Sequence, residues 1–195
     1  GLLCSGLGLV FVGLNVMSSE QAFGNPLVES MFQGIFRVVD FPLLLILIGA
    51  IFTALIQSSS AATGVVITMV GTNVLPLDLA LFIILGANIG TCVTALLASM
   101  GANANSKRVA LIHFTFNVIG TVIFWLFKEP MINLLESMFP GEDAMALQMR
   151  VSAFHVIFNV STTCVLLPFV RQLVNYSCYA IKDKKSTETV HALKF

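Results

Sequence analysis

A polar tetrad sits where an apolar run should be continuous. Residues 41–70 are apolar except near their middle, where Gln57-Ser58-Ser59-Ser60 interrupts them. As a helix rising about 1.5 Å per residue, the arm 41–55 covers about 22 Å and the arm 61–70 about 15 Å, against a hydrocarbon core of about 30 Å. Neither arm spans a bilayer alone. One continuous tilted helix is the rival, but it places four adjacent polar side chains around its whole circumference near the bilayer centre. A re-entrant helical hairpin instead puts the polar turn into a protein-lined, wet cavity, and that architecture is expected here.

Composition makes the bilayer the solvent. The chain is 57% hydrophobic and 10% charged, with a mean hydropathy of +0.93, whereas an ordinary soluble domain carries about 25% charged residues. Ten basic and ten acidic residues leave a formal net charge of zero, so the basic footprint that holds a nucleic acid is missing and no nucleic-acid partner is expected. Cys4, Cys92, Cys164 and Cys178 lie in or beside apolar stretches without the close pairing of a metal or redox site, and read as free, buried thiols. The chain opens Gly1-Leu2-Leu3, with no basic segment ahead of its first apolar run, and is expected to be a processed or excised piece.

Five apolar segments follow from the breaks at polar and Gly/Pro clusters: 2–17, the interrupted 41–70, 77–100, 109–127 and 151–174. The fold class expected is therefore an all-α integral membrane protein with about four spans plus one hairpin, over about 41–71. Residues 18–40 alternate apolar and polar positions at helical spacing and suit an interfacial helix. In domain terms, 1–127 forms one unit containing the hairpin, 128–180 an external connection and the final span, and 181–195 a charged cytoplasmic tail. The motif His113-x-x-Phe116-Asn117-Val118 recurs as His155-x-x-Phe158-Asn159-Val160. The two helices carrying it are expected to run antiparallel, with the matching residues near opposite membrane faces. Lys107 and Arg108 mark one loop as internal, and Arg171, Lys182, Lys184 and Lys185 mark the carboxyl end likewise, so the connection bearing Glu129, Glu136, Glu142 and Asp143 is expected outside.

Two motifs carry the chemistry. At Gln57-Ser58-Ser59-Ser60 one helix ends and another begins, leaving open backbone N–H groups and about half a positive charge at the amino end of the second arm, a setting that favours anions. Ser hydroxyls and the Gln amide can donate to an anion and lend lone pairs to a cation; the bland alternative is a Ser cluster capping its own hairpin or joining helices. In Gly86-Ala87-Asn88-Ile89-Gly90-Thr91, the G-x-x-x-G pair alone means close helix packing. Asn88 and Thr91 add a carbonyl and a hydroxyl where the helix can unwind, and freed carbonyls suit sodium.

No Lys or Arg occurs between residues 38 and 106. A phosphate bound at these motifs, at about −1.5 to −2 charges, needs a cationic partner, since each opposite unit charge at about 4 Å and an effective dielectric of about 20 contributes about 4 kcal/mol. Sodium held by hydroxyl and carbonyl oxygens supplies it, which couples cation and anion binding; an Arg from another part of the protein is the alternative. His113 and His155 read about one turn inside their helices, where they hydrogen-bond a neighbouring helix or, less simply, relay protons. Asn117 and Asn159 are expected to make similar bonds, and Asp40 and Asp78 read as helix-end residues.

The tetrad followed by Gly86-Ala87-Asn88-Ile89-Gly90-Thr91 resembles the type II sodium–phosphate cotransporter family, especially its bacterial members, over about residues 1–179. That family is built from two inverted repeats, each with a Gln-Ser-Ser motif at a hairpin tip, and binds phosphate and sodium between them. The resemblance implies that Gln57, Ser58, Ser59 and Ser60 contact phosphate, and that Gln57, Ser58, Asn88, Gly90 and Thr91 contact sodium. It implies a symporter in the plasma (inner) membrane with a cytoplasmic carboxyl end, with no cofactor beyond sodium as coupling ion. This chain has one strong copy of each motif, so it resembles the second repeat plus the terminal span, and a complete site needs the other half as a missing amino-terminal portion or a second chain. Competing readings are a symporter for another small anion, a non-transporting anion-sensing membrane subunit, and an intramembrane serine hydrolase using Ser58, Ser59 or Ser60 with His113 or His155. The last lacks an orienting acid in the membrane segments.

Overall fold

A computed structural model describes residues 1–38 and 41–182, so Asp40 and most of the charged tail expected over 181–195 lie outside the described residues. Every regular element among them is helical: α1 (Leu2–Ser18), α2 (Pro26–Val38), α3 (Pro42–Ile56), α4 (Ser59–Gly71), α5 (Leu77–Ser99), α6 (Ala104–Leu126), α7 (Lys128–Met138), α8 (Ala144–Leu166) and α9 (Val170–Ala180), with a 3-10 turn, Leu167–Phe169, before α9. Three helical stretches are long and apolar enough to cross a membrane, Leu77–Ser99, Ala104–Leu126 and Ala144–Ala180. The sequence led us to expect about four. The difference is α1, whose 17 residues reach about 26 Å as helix, short of a full hydrocarbon core.

The central helix is α5, with 67% of its apolar window buried against 28% and 22% for the other two. It is held there by α3. A methyl added to Gly86 would strike the Ile46 carbonyl oxygen, one on Gly90 the Ala50 carbonyl oxygen, and one on Gly49 the Ile83 carbonyl oxygen, so the two backbones touch along a seam of glycines. Four residues along α5, from Gly86 to Gly90, match four along α3, from Ile46 to Ala50, so the two helices run in the same direction. The chain must then reverse between them, and α4 makes the return. Helix α5 is unbroken from Leu77 to Ser99, which corrects the expectation that it unwinds at 86–91. The glycines give α3 close access instead of loosening the helix.

Helix α6 begins at Ala104, where the Asn103 side chain accepts a 2.9 Å bond from the Ser106 amide, and α8 begins at Ala144. Both start well before the apolar runs at 109 and 151, because a helix continues past the apolar part of its sequence into polar turns. Phe124 of α6 packs edge-on against Phe154 and Phe158 of α8, with ring centroids 5.8 and 5.0 Å apart. The acidic connection between them is itself a helix, α7, whose Met131, Ile132 and Leu135 pack on the core while Glu129 stays exposed. Arg150 is 2% exposed; its guanidinium donates to the carbonyls of Phe139 and Gly141 and to the Glu142 carboxylate, tying the α7–α8 turn to α8. At the other end of the bundle Arg108 donates two bonds, 3.0 and 2.9 Å, to the Ile181 carbonyl and joins the start of α6 to the end of α9. Of the four cysteines Cys92 is buried, whereas Cys4, Cys164 and Cys178 are exposed on helix faces, which corrects the expectation of four buried thiols.

Gly86→Ala is expected to lower stability by about 1–3 kcal/mol, the usual range for overpacking, because the obstacle is rigid backbone. Gly34→Ala, with nothing within 4 Å of the new methyl, should leave stability unchanged or raise it by up to about 1 kcal/mol; unfolding of the purified protein in detergent reads both. Arg150→Met should cost about 1–3 kcal/mol by stranding the two carbonyls, with little contribution from the exposed Glu142 partner. Limited proteolysis should show faster cleavage at 139–143.

Candidate functional site

The site is built by the reversal between α3 and α4. Gln57 closes α3 in the left-handed conformation (φ 59°, ψ 23°), with its amide 2.7 Å from the Thr53 carbonyl oxygen. Ser58 is extended and caps α4, its hydroxyl accepting a 3.3 Å bond from the Ala61 amide, while the Ala62 amide bonds to the Ser58 carbonyl oxygen. The Ser59 and Ser60 amides, at the positive end of the α4 dipole, have no partner among the described residues.

A cavity of about 240 Å³ lies at this tip. Its wall consists of Ser59 from α4, Asn88 and Thr91 from α5, His113, Phe116 and Asn117 from α6, and His155 and Asn159 from α8. The latter three helices are each 23 residues long, and all these positions fall in their middle turns, so Ser59 at the start of α4 stands near their mid-height. No Asp, Glu, Lys or Arg lines the cavity.

Of the residues singled out from the sequence, Ser59, Asn88 and Thr91 meet here. Ser58 is committed to capping, and Gln57 and Ser60 are exposed and outside the cavity wall. Gly90 is buried in the α3 seam, a hypothetical methyl on it lying 2.9 Å from the Thr53 Cβ, so its contribution here is close approach. The expectation for the repeated motif is corrected: His113 and His155 share one cavity instead of lying near opposite faces, because each is near the middle of its helix and not one turn inside it. Neither imidazole hydrogen-bonds a neighbouring helix among the described residues. Asn117 spends its amide hydrogens on the His113 carbonyl (3.0 Å) and the Cys92 sulfur (3.3 Å), and Asn159 spends its own on the His155 carbonyl (2.8 Å) and the Asn88 amide oxygen (3.4 Å). A serine hydrolase would need a carboxylate to orient one imidazole, and the wall offers none.

A second, larger cavity of about 540 Å³ opens at the end of the bundle where α5 and α8 begin, with Asp78, Glu136, Glu142 and Arg150 in its wall. Sequence reading missed the convergence of the two histidines and the anchoring role of Arg150. The cap at Asn103, which starts α6 before its apolar run, was the available signal for the first.

The Na+/Pi-cotransporter family model matches residues 20–151. YqeW of Bacillus subtilis (strain 168), an uncharacterised protein, is 29% identical over 83% of this chain and 53% of its own length. YjbB of Escherichia coli (strain K12), provisionally named for inorganic phosphate export, is 32% identical over 94% of this chain and 33% of its own. The mouse sodium-dependent phosphate transport protein 2C is 44% identical over 43% of this chain and 14% of its own. The chain thus spans about half the length of YqeW and a third of YjbB, and no solved structure matches it. The model covers most of the chain, including the tetrad and the cavity residues of α4, α5 and α6, so the chain belongs to the Na+/Pi-cotransporter family, which consists of transporters and not enzymes.

Proposed function

We propose that this chain supplies one half of a sodium-coupled phosphate symporter, in which α3 and α4 form a re-entrant hairpin whose tip holds substrate and coupling ion. The observation that carries the proposal is the α3–α4 break standing against the middle turns of three 23-residue helices. A tip there brings open Ser59 and Ser60 amides and the positive end of α4 to the bilayer midplane, where an anion gains most from fixed donors. Ser59 then contacts phosphate directly, with Gln57, Ser58 and Ser60 completing the turn around it from the face left open to the other inverted-repeat half. Asn88 and Thr91 offer side-chain oxygens to sodium, Thr91 while donating its own hydrogen to the Ala87 carbonyl at 3.0 Å. The absence of charged residues from the wall makes sodium the counter-charge for the anion.

The names of the relatives support phosphate as the substrate, and protein 2C supports sodium dependence. The name of YjbB favours export, and direction in such a carrier follows the gradients of its ligands. The bond from Arg108 to Ile181 holds the basic start of α6 beside the end of α9, which agrees with both facing the cytoplasm of a cell whose plasma membrane holds the protein.

Uptake of labelled phosphate by the intact protein in proteoliposomes tests the proposal. Sodium should stimulate uptake strongly over potassium or choline; equal rates in all three would remove the symport reading. Ser59→Ala should raise the apparent phosphate KM by about 10-fold or more, the effect of one hydrogen bond to a charged group at about 1.5–3 kcal/mol. Asn88→Ala should raise the apparent sodium KM. If neither constant moves, the tip residues are not the site.

A further inference from the structure

The cavity at the hairpin tip has few hydrogens left to give. Both amide hydrogens of Asn117 and both of Asn159 are already donated, Asn88 donates one to the Ile84 carbonyl at 2.9 Å, and Thr91 donates to Ala87. These side chains therefore face a ligand mainly as oxygens, the chemistry of a cation site. The polar side chains in the wall with hydrogen-bond donors not engaged among the described residues are Ser59, His113 and His155, together with the second amide hydrogen of Asn88. The histidines enter from two different helices, each half-buried, each four residues before an asparagine that accepts nothing back from the ring.

Intramembrane ionisable residues face functional cavities, and these two rings face one with no partner of their own among the described residues. We propose that His113 and His155 form the anion-contacting pair of this cavity, each presenting a ring N–H to an oxyanion of the phosphate class opposite the Ser59 hydroxyl. The repeated His-x-x-Phe-Asn motif then has one purpose in both helices. The Asn side chain bonds back to the carbonyl of the His one turn earlier and to a neighbouring group, bracing that turn, while the His ring is left for the ligand. Anion donors from Ser59 and the two histidines, and cation acceptors from Asn88, Thr91 and the two asparagines that follow the histidines, thus occupy one chamber. This inference rests on the phosphate-transport reading above.

The test uses the intact protein in proteoliposomes, with apparent KM for phosphate and for sodium measured separately. His113→Phe and His155→Phe keep ring bulk and remove both nitrogens; each should raise the phosphate KM about tenfold and leave the sodium KM at saturating phosphate within about twofold. His113→Gln and His155→Gln, which restore an N–H donor, should recover part of the loss. Unchanged phosphate KM in the Phe variants, or phosphate and sodium constants rising together in both series as general loosening of the packing would produce, would overturn the assignment. If the unaltered protein shows no sodium-stimulated uptake, the symport reading falls by itself. Equilibrium binding of inorganic phosphate to the purified protein then decides the pair: binding weakened about tenfold by the Phe variants supports it, and binding that is absent from the unaltered protein or unmoved by the variants refutes it.

Discussion

The contact on which the rest of this structure depends is the backbone-to-backbone seam between α3 and α5. Gly49, Gly86 and Gly90 let the two helices approach until carbonyl oxygens of one occupy the space a side chain would fill on the other. Such contact fixes both register and direction, because only one alignment keeps small residues opposite backbone. With α3 locked parallel to α5, its end at Ile56 is pinned beside the central helix just beyond Gly90, and α4 has to turn back from that point. Everything chemical follows from that placement, since the end of one helix and the start of another expose unpaired backbone groups at a depth where side chains of α6 and α8 also converge.

Much of this was legible in the sequence, and the reasons differ by element. Four polar residues inside an apolar run have no low-energy place in a continuous spanning helix, so the break at Gln57-Ser58 could be read directly. The glycines of 86–90 were harder. The same G-x-x-x-G spacing serves close packing and local unwinding, and only the partner helix decides between them; here Ile46 and Ala50 of α3 fill the gap. The depth of His113 and His155 was misread because hydropathy locates the apolar part of a helix and not its start, and both helices begin earlier, with Lys107, Arg108, Gln148 and Arg150 inside them. Helix α7 was hidden for a related reason. Its apolar positions are interleaved with Lys128, Glu129, Asn133 and Glu136, and it packs because Leu135 and its neighbours find the core once α6 and α8 are in place.

The cavity divides its labour by arithmetic of hydrogen bonds and not by charge. A chamber without Lys, Arg, Asp or Glu in its wall has no ionic grip on either ligand alone, and burying one unpaired ion there is expensive. Two opposite ions entering together relieve each other. Side-chain amides whose hydrogens are largely spent on backbone and neighbouring side chains, imidazoles whose hydrogens are not, and a helix amino end between them would, on the proposed reading, make co-binding more favourable than either single event. That is the thermodynamic requirement for the proposed coupling, and it would be supplied by neutral side chains and by the placement of one helix break.

The account stands or falls on the chain turning back at Gln57. Nitroxide labels at Leu43→Cys and Thr72→Cys, in a cysteine-replaced protein reconstituted in bilayers, measure this directly by electron–electron distance. A hairpin brings the outer ends of α3 and α4 to the same end of the bundle, and a separation of about 25 Å or less is predicted. An unbroken helix over the same residues, rising about 1.5 Å at each, would hold the labels about 43 Å apart and contradict the account.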